Sequence, residues 1–247
     1  MKLEGTAALV TGAARRVGRA IALELACHGC DVAIHYRRAR SEAEELAARI
    51  TRTGRNAVTI AGDLSDPAIW PIVVRQAVDA LGRLDILVNN ASAFLADQPD
   101  TIDEFDPKLW ETMLRVNLVA PVGLSHHARE HLQARGSGRI VNLCDVSADR
   151  PWPDHLAYCA SKAGLAAVTK GLARALAPDI CVYGVAPGIA AFPERFSEGS
   201  RHTLTRRVPL GREGTPEEVA TLARVLLESG DYITGEIVRI DGGRSLV

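Results

Sequence analysis

Short apolar runs alternate with amphipathic stretches along all 247 residues, and this alternation limits what the chain can fold into. The runs are Ala7–Val10, Val32–His35, Ala57–Ile60, Ile86–Val88, Arg139–Leu143, Ile180–Val185 and Ile237–Ile240. Between them apolar residues recur at helical spacing over Arg16–Cys27, Ser41–Thr53, Ile72–Leu81, Pro107–Leu132, Ala157–Ala177 and Pro216–Leu227. Parallel strands need long crossovers, usually helical, so strand–helix–strand repetition predicts a parallel sheet covered on both faces. No linker or composition break marks a second domain, and the length suits one α/β core. The one long irregular segment, about 187–214, reads as a lid over a site or as a variable surface excursion.

Hydrophobic residues make up 47% and charged residues 24%, the balance of a globular enzyme or binding domain. A net charge of −1 gives no electrostatic reason to expect nucleic acid or an anionic membrane as partner. No apolar run is long enough to span a bilayer, and Met1-Lys2-Leu3-Glu4 leads directly into a strand, so the expected location is cytoplasmic. Cys27-His28-Gly29-Cys30 has redox-motif spacing, but it lies between a helix and the next strand rather than opening a helix. His127 and His131 are four apart with no carboxylate placed for zinc hydrolysis, so no metal is expected.

The chemistry concentrates at two ends of the pattern. Thr11-Gly12-Ala13-Ala14-Arg15-Arg16-Val17-Gly18 follows the first strand and opens the first helix. Small residues there let backbone N–H groups and the positive helix end approach a pyrophosphate. Dinucleotide sites for NAD place a carboxylate at the end of the second strand, to hold a ribose hydroxyl. This chain has His35-Tyr36-Arg37-Arg38 instead, with no acid before Glu42. Two guanidiniums suit a 2′-phosphate, so the expected cofactor is NADPH. Tyr158 and Lys162 are four apart on a helix and share a face. An ammonium beside a phenol favours the phenolate, so the tyrosine pKa is expected to fall towards neutrality. Asp145 stands thirteen positions upstream of Tyr158 as a second titratable group.

Together these residues resemble the short-chain dehydrogenase/reductase family along essentially the whole chain. The resemblance rests on the glycine turn, Asp63-Leu64, Asn89-Asn90-Ala91-Ser92, Asn117, the Tyr158–Lys162 pair, Pro187-Gly188 and Asp241-Gly242-Gly243. It implies a Rossmann-type, doubly wound single domain over residues 1–247, with a seven-stranded parallel sheet. Three departures from the general pattern matter: Asp145 replaces the usual serine, Arg16 replaces a glycine, and Ala93-Phe94 follows the asparagines. In these the chain is similar to the pteridine reductase branch, whose members reduce dihydropterins and dihydrofolate. That likeness implies cofactor contacts from Gly12, Arg16, Val17, Gly18, His35, Tyr36, Arg37, Arg38, Asp63, Leu64, Asn90, Ala91, Ser92, Tyr158, Lys162, Pro187, Gly188 and Ile189. It implies substrate contacts from Arg16, Ser92, Phe94, Asp145 and Tyr158, with Phe94 and the nicotinamide enclosing a flat pterin. Tyr158 would deliver the proton, Lys162 hold the ribose, Asp145 assist, and Asn117 position a water.

The expected function is therefore NADPH-dependent reduction of a C=N bond in a pterin, dihydropterin or dihydrofolate. One rival keeps the fold and reduces a ketone such as a 3-oxoacyl thioester; another is a non-catalytic NADP-binding regulator. Helix Ala157–Ala177 is rich in alanine and glycine and suited to packing on a copy of itself. Family members are often tetramers, so a homotetramer with a small-molecule substrate is expected. Tyr183 stands where many family members have asparagine, and the substrate-loop stretch 190–207 contains Phe192, Arg195, Phe196 and Arg201.

Overall fold

The computed structural model describes residues 1–94, 100–190, 198–229 and 231–247. Seven parallel strands form one sheet: β1 Ala7–Val10, β2 Asp31–Tyr36, β3 Ala57–Ala61, β4 Ile86–Asn89, β5 Gly138–Leu143, β6 Ile180–Pro187 and β7 Ile237–Ile240. Their order is β3-β2-β1-β4-β5-β6-β7, the doubly wound Rossmann-type arrangement. The order reverses between β1 and β4, so a crevice opens above their carboxyl ends. The helices are α1 Arg16–Cys27, α2 Arg40–Thr51, α3 Ile69–Leu81, α4 Pro107–Leu114, α5 Ala120–Gln133, α6 Leu156–Leu176, α7 Glu198–Thr205 and α8 Pro216–Ser229.

Period-two alternation divides each central strand between two cores. Ala8, Val10, Val32, Ile34, Ile86, Val88, Val141, Tyr183 and Val185 face α1, α2 and α8. Leu9, Ala33, Leu87, Ile140 and Val182 face α3, α5 and α6. Both faces are dry, which explains why these strands read as unbroken apolar runs. Tyr183 is fully buried in the first core, where it fills volume beneath α8. At the start of α8, Thr215 and Glu218 form a reciprocal capping box: the Glu218 N–H donates to Thr215 Oγ1 at 3.2 Å and the Thr215 N–H to Glu218 Oε2 at 2.9 Å.

Two expectations change. The single helix expected over 107–132 is three pieces: α4, a wider π turn at Arg115–Val119, and α5. Pro121 has no N–H to donate to the Asn117 carbonyl four residues back, so the α-helical ladder breaks there. The long segment expected to be irregular contains α7. Phe192, Arg195 and Phe196 fall outside the described residues.

Candidate active site

At the carboxyl end of β1 the chain turns through Gly12, with φ +62°. A Cβ on Gly12 would lie 2.9 Å from the Ala91 Cα, so only glycine lets the turn press against the loop after β4. Asn90 clips the two together: its Nδ2 donates to the Thr11 carbonyl at 2.8 Å and the Gly12 carbonyl at 3.1 Å. Thr11 Oγ1 accepts from the N–H groups of Asn90 and Ala91, at 2.9 and 3.0 Å. Helix α1 then starts with no side-chain cap on Arg15 and no acid in its first turn. Its positive dipole end, with no acidic side chain against it, is of the kind that suits an anion. Arg16 adopts φ +52°, the left-handed region where its Cβ is strained, at the position where the dinucleotide fingerprint has glycine. Its charge reaches the site, since it acts to lower the Tyr158 pKa.

The four residues ending β2 divide by burial. His35 and Tyr36 are buried, whereas Arg37 and Arg38 are exposed. His35 is a strut. Its Nδ1 accepts from the Gly12 N–H at 3.3 Å, and its Nε2–H donates to the Gly62 carbonyl at 3.2 Å. Burial lowers its pKa to about 4, so it is neutral with the tautomer those two bonds require. Those two bonds make His35 a support beneath the turn. The next acid in sequence, Glu42, is held by Arg15 in an ion pair that ties α2 to the glycine turn. Asp63 is exposed just past β3, its Oδ1 accepting from the N–H and hydroxyl of Ser65 at 3.0 and 2.8 Å. Those bonds, with the Arg37 and Arg38 charges, hold its carboxyl below the usual range.

Tyr158, Lys162 and Asp145 come together where β5 meets α6. Tyr158 donates its hydroxyl hydrogen to Asp145 Oδ2 at 2.9 Å, while Oδ1 of the same carboxylate accepts from the Ser147 N–H at 2.8 Å. Asp145 therefore both caps the short helix Val146–Ala148 and binds the phenol. Lys162 Nζ donates to the Leu143 carbonyl at 2.7 Å and sits 5.7 Å from the centre of the Tyr158 ring. Burial lowers its pKa, and the charge of Asp145 opposes that shift.

The lowered tyrosine pKa expected from the Tyr–Lys spacing is not what this arrangement produces. Burial, then the Asp145 charge, then the hydrogen bond to Asp145 raise it well above the ordinary value. A phenolate there would face a carboxylate in a dry site, so Tyr158 is held as the neutral phenol. It is a store of one proton.

Asn117, in the π turn, joins three elements. Its Oδ1 accepts from the Ala93 N–H at 2.7 Å and the Ser92 hydroxyl at 3.2 Å. Its Nδ2 donates to the Ala93 carbonyl at 2.9 Å and Ser161 Oγ at 3.0 Å, and Ser161 in turn donates to the Tyr158 carbonyl at 2.7 Å. The amide thus serves as a clamp on the loop that carries Phe94. The Phe94 ring centre lies 4.7 Å from that of Tyr158, 5.0 Å from His155 and 6.2 Å from Trp152. Trp152 stacks on Tyr158 at 5.8 Å with planes 16° apart. Sequence reasoning does not single out Trp152 and His155. The one signal for them is an aromatic between two prolines, in Pro151-Trp152-Pro153, just ahead of the tyrosine helix. At the far side, the Gly188 N–H donates to the Ile240 carbonyl at 3.0 Å, and the Ile189 carbonyl accepts from the Gly214 N–H at 2.8 Å. Pro187, Gly188 and Ile189 thus lie between β7 and the start of α8.

The chain matches known proteins over nearly its full length. A family model described as enoyl-(acyl carrier protein) reductase matches residues 12–245. The structure of FolM alternative dihydrofolate reductase 1 from Brucella canis, complexed with NADP, is 36% identical with a TM-score of 0.93, covering 100% of this chain and 96% of that one. A variant of a short-chain dehydrogenase/reductase from Serratia marcescens is 35% identical with a TM-score of 0.92, covering 99% and 100%. The 3-oxoacyl-[acyl-carrier-protein] reductase FabG of Staphylococcus aureus is 31% identical over 240 residues, 96% of each chain.

Proposed function

The chain belongs to the short-chain dehydrogenase/reductase family, and from that premise we propose that it is an NADPH-dependent reductase of a C=N bond in a pterin, dihydropterin or dihydrofolate. The observation that carries this reading is the hydrogen bond between Tyr158 and Asp145, beside a wall built by Phe94, Trp152 and His155. A flat heteroaromatic ring stacks favourably on such a wall. Nitrogen of a C=N bond takes up a proton when carbon takes hydride, and the tyrosine–carboxylate pair holds that proton beside it. The likeness to the Brucella dihydrofolate reductase supports the same branch.

The residues present fit the cofactor. The uncapped start of α1 and the strained Arg16 suit its pyrophosphate. Arg37 and Arg38 are exposed where the 2′-phosphate would lie, and Arg15 neutralises Glu42, the acid nearest in sequence. NADPH supplies the hydride when bound. Lys162 uses one of its three donors on Leu143 and offers the others to a ribose hydroxyl. Tyr158 delivers its proton from the hydroxyl, and Asp145 passes the replacement from solvent. Asn117, whose carbonyl lacks the N–H of residue 121, holds a water on that path.

A second reading, reduction of a ketone, is favoured by the likeness to the Staphylococcus aureus 3-oxoacyl reductase. Oxidation of NADPH and NADH, followed at saturating dihydropterin, dihydrofolate and a 3-oxoacyl thioester, separates the two. Turnover of a pterin or folate is the expected result. Robust ketone reduction with no turnover of any pterin or folate would refute the proposal.

A further inference from the structure

Helix α6 carries Tyr158 two residues inside its first turn, yet its own N-cap residue, His155, makes no side-chain capping bond. Helix starts leave backbone N–H groups without partners inside the helix, and a buried one is costly unless something accepts from it. The acceptor here comes from 57 residues upstream: Asp100 Oδ2 accepts from the Ala157 N–H. The backbone of Asp100 is bound at the same place. Its N–H donates to the Asp154 carbonyl at 3.0 Å, and Asp100 and His155 form an isolated parallel β-bridge.

The burial is specific to this residue. Asp100 is 3% exposed, while Ile102 and Phe105 just after it are 85% and 66% exposed. A carboxylate withdrawn from water in an otherwise exposed stretch is destabilising unless its hydrogen bonds replace hydration. Six positions before Asp100 stands Phe94, whose ring meets both Tyr158 and His155. Described residues after β4 thus meet the tyrosine helix at two places, at Ala93 through Asn117 and Ser161 and at Asp100 through the Ala157 N–H.

We propose that Asp100 is a positioning residue: its carboxylate supplies the cap that α6 lacks and so sets the Phe94 ring against the Tyr158 phenol. The inference rests on reading Tyr158 as the proton donor and Phe94 as a wall of the substrate pocket. The glycine turn, Arg37 and Arg38 belong to other elements, so loss of this clamp should change NADPH affinity less than it changes kcat/KM.

The test is a double-mutant cycle in the full chain, using Asp100→Ala, Phe94→Ala and the pair, with Asp100→Asn as the conservative variant. Steady-state kinetics are measured with whichever substrate the wild type reduces, and NADPH Kd by fluorescence titration. A fraction of an ångström of misplacement at the ring predicts that Asp100→Ala lowers kcat/KM about five- to tenfold, with NADPH Kd within about twofold of wild type. Asp100→Asn keeps an acceptor for the Ala157 N–H and should recover most of the loss. In the Phe94→Ala background the loss should shrink, because the ring being positioned is gone. Losses that multiply independently, an NADPH Kd that rises in step with them, or an Asp100→Ala enzyme as active as wild type would each overturn the proposal. If Asp100→Ala does not fold, Asp100→Ser, with a shorter acceptor, takes its place under the same criteria. A wild type that reduces only ketones refutes the pterin reading, and the same cycle measured with the ketone then decides the role of Asp100; full activity in Tyr158→Phe overturns both.

Discussion

The buried His35 makes a quantitative prediction about acid stability. It sits 2% exposed between the glycine turn and Gly62, and its neutral form satisfies both contacts. Protonation would place an N–H against the Gly12 N–H and a charge in a dry core. Burial lowers the pKa from 6.5 to about 4 in the folded chain, so on acidification the unfolded chain takes up this proton first. Stability is therefore undiminished above pH 6.5, falls as pH drops towards 4, and loses nothing further from this group below that. About 2.5 units at 1.36 kcal/mol each gives about 3 kcal/mol in total, of which about 2 kcal/mol has gone by about pH 5. Other groups titrate in the same range, so the measurement is a difference. Urea unfolding of wild type and His35→Asn, from about pH 4.5 to about pH 8, should show a less stable variant whose stability depends less on pH. Its deficit should narrow by about 2 to 3 kcal/mol on the acid side. Equal pH slopes for the two proteins would refute the assignment of His35 as a neutral strut.

At Tyr158 the expected sign is equally definite. Asp145→Ser removes the second and third causes of the raised tyrosine pKa, so the basic limb of the kcat profile, above which the phenol has lost its proton, should move to lower pH. Tyr158→Phe should bind NADPH normally while turnover falls by about 10²–10⁴-fold, as single-turnover kinetics would show. In an ordinary helix alanine is more stable than glycine by about 1 kcal/mol, but the positive φ of Arg16 should invert that order. Thermal unfolding of Arg16→Gly and Arg16→Ala checks it, with Arg16→Gly expected to be the more stable by about 1 kcal/mol. Replacing Arg37 and Arg38 together should raise the KM for NADPH by more than about tenfold and leave that for NADH nearly unchanged, since charge-assisted bonds contribute about 1.5–3 kcal/mol each.

Local pattern determined much of this protein. Strands such as β1 and β7 and helices such as α1 were legible because a period of two or 3.6 and the small residues of a turn act over a few neighbours. The same locality placed Gly12 at a strand–helix turn, Arg37 and Arg38 at a strand end, and Tyr158 and Lys162 on one helix face. Tertiary structure decided what those groups do. Spacing alone put an ammonium beside a phenol, but folding sends Lys162 to the Leu143 carbonyl and brings Asp145 to the tyrosine, which reverses the sign of the pKa shift. His35 reads as a cofactor contact, and folding adds bonds from it that bridge the glycine turn and Gly62. Trp152, His155 and Asp100 carried weak local signals, because their roles depend on a loop and a helix start that are distant in sequence. Periodicity records which face a residue occupies; burial and hydrogen-bond partners follow only from which crossovers the sheet brings together.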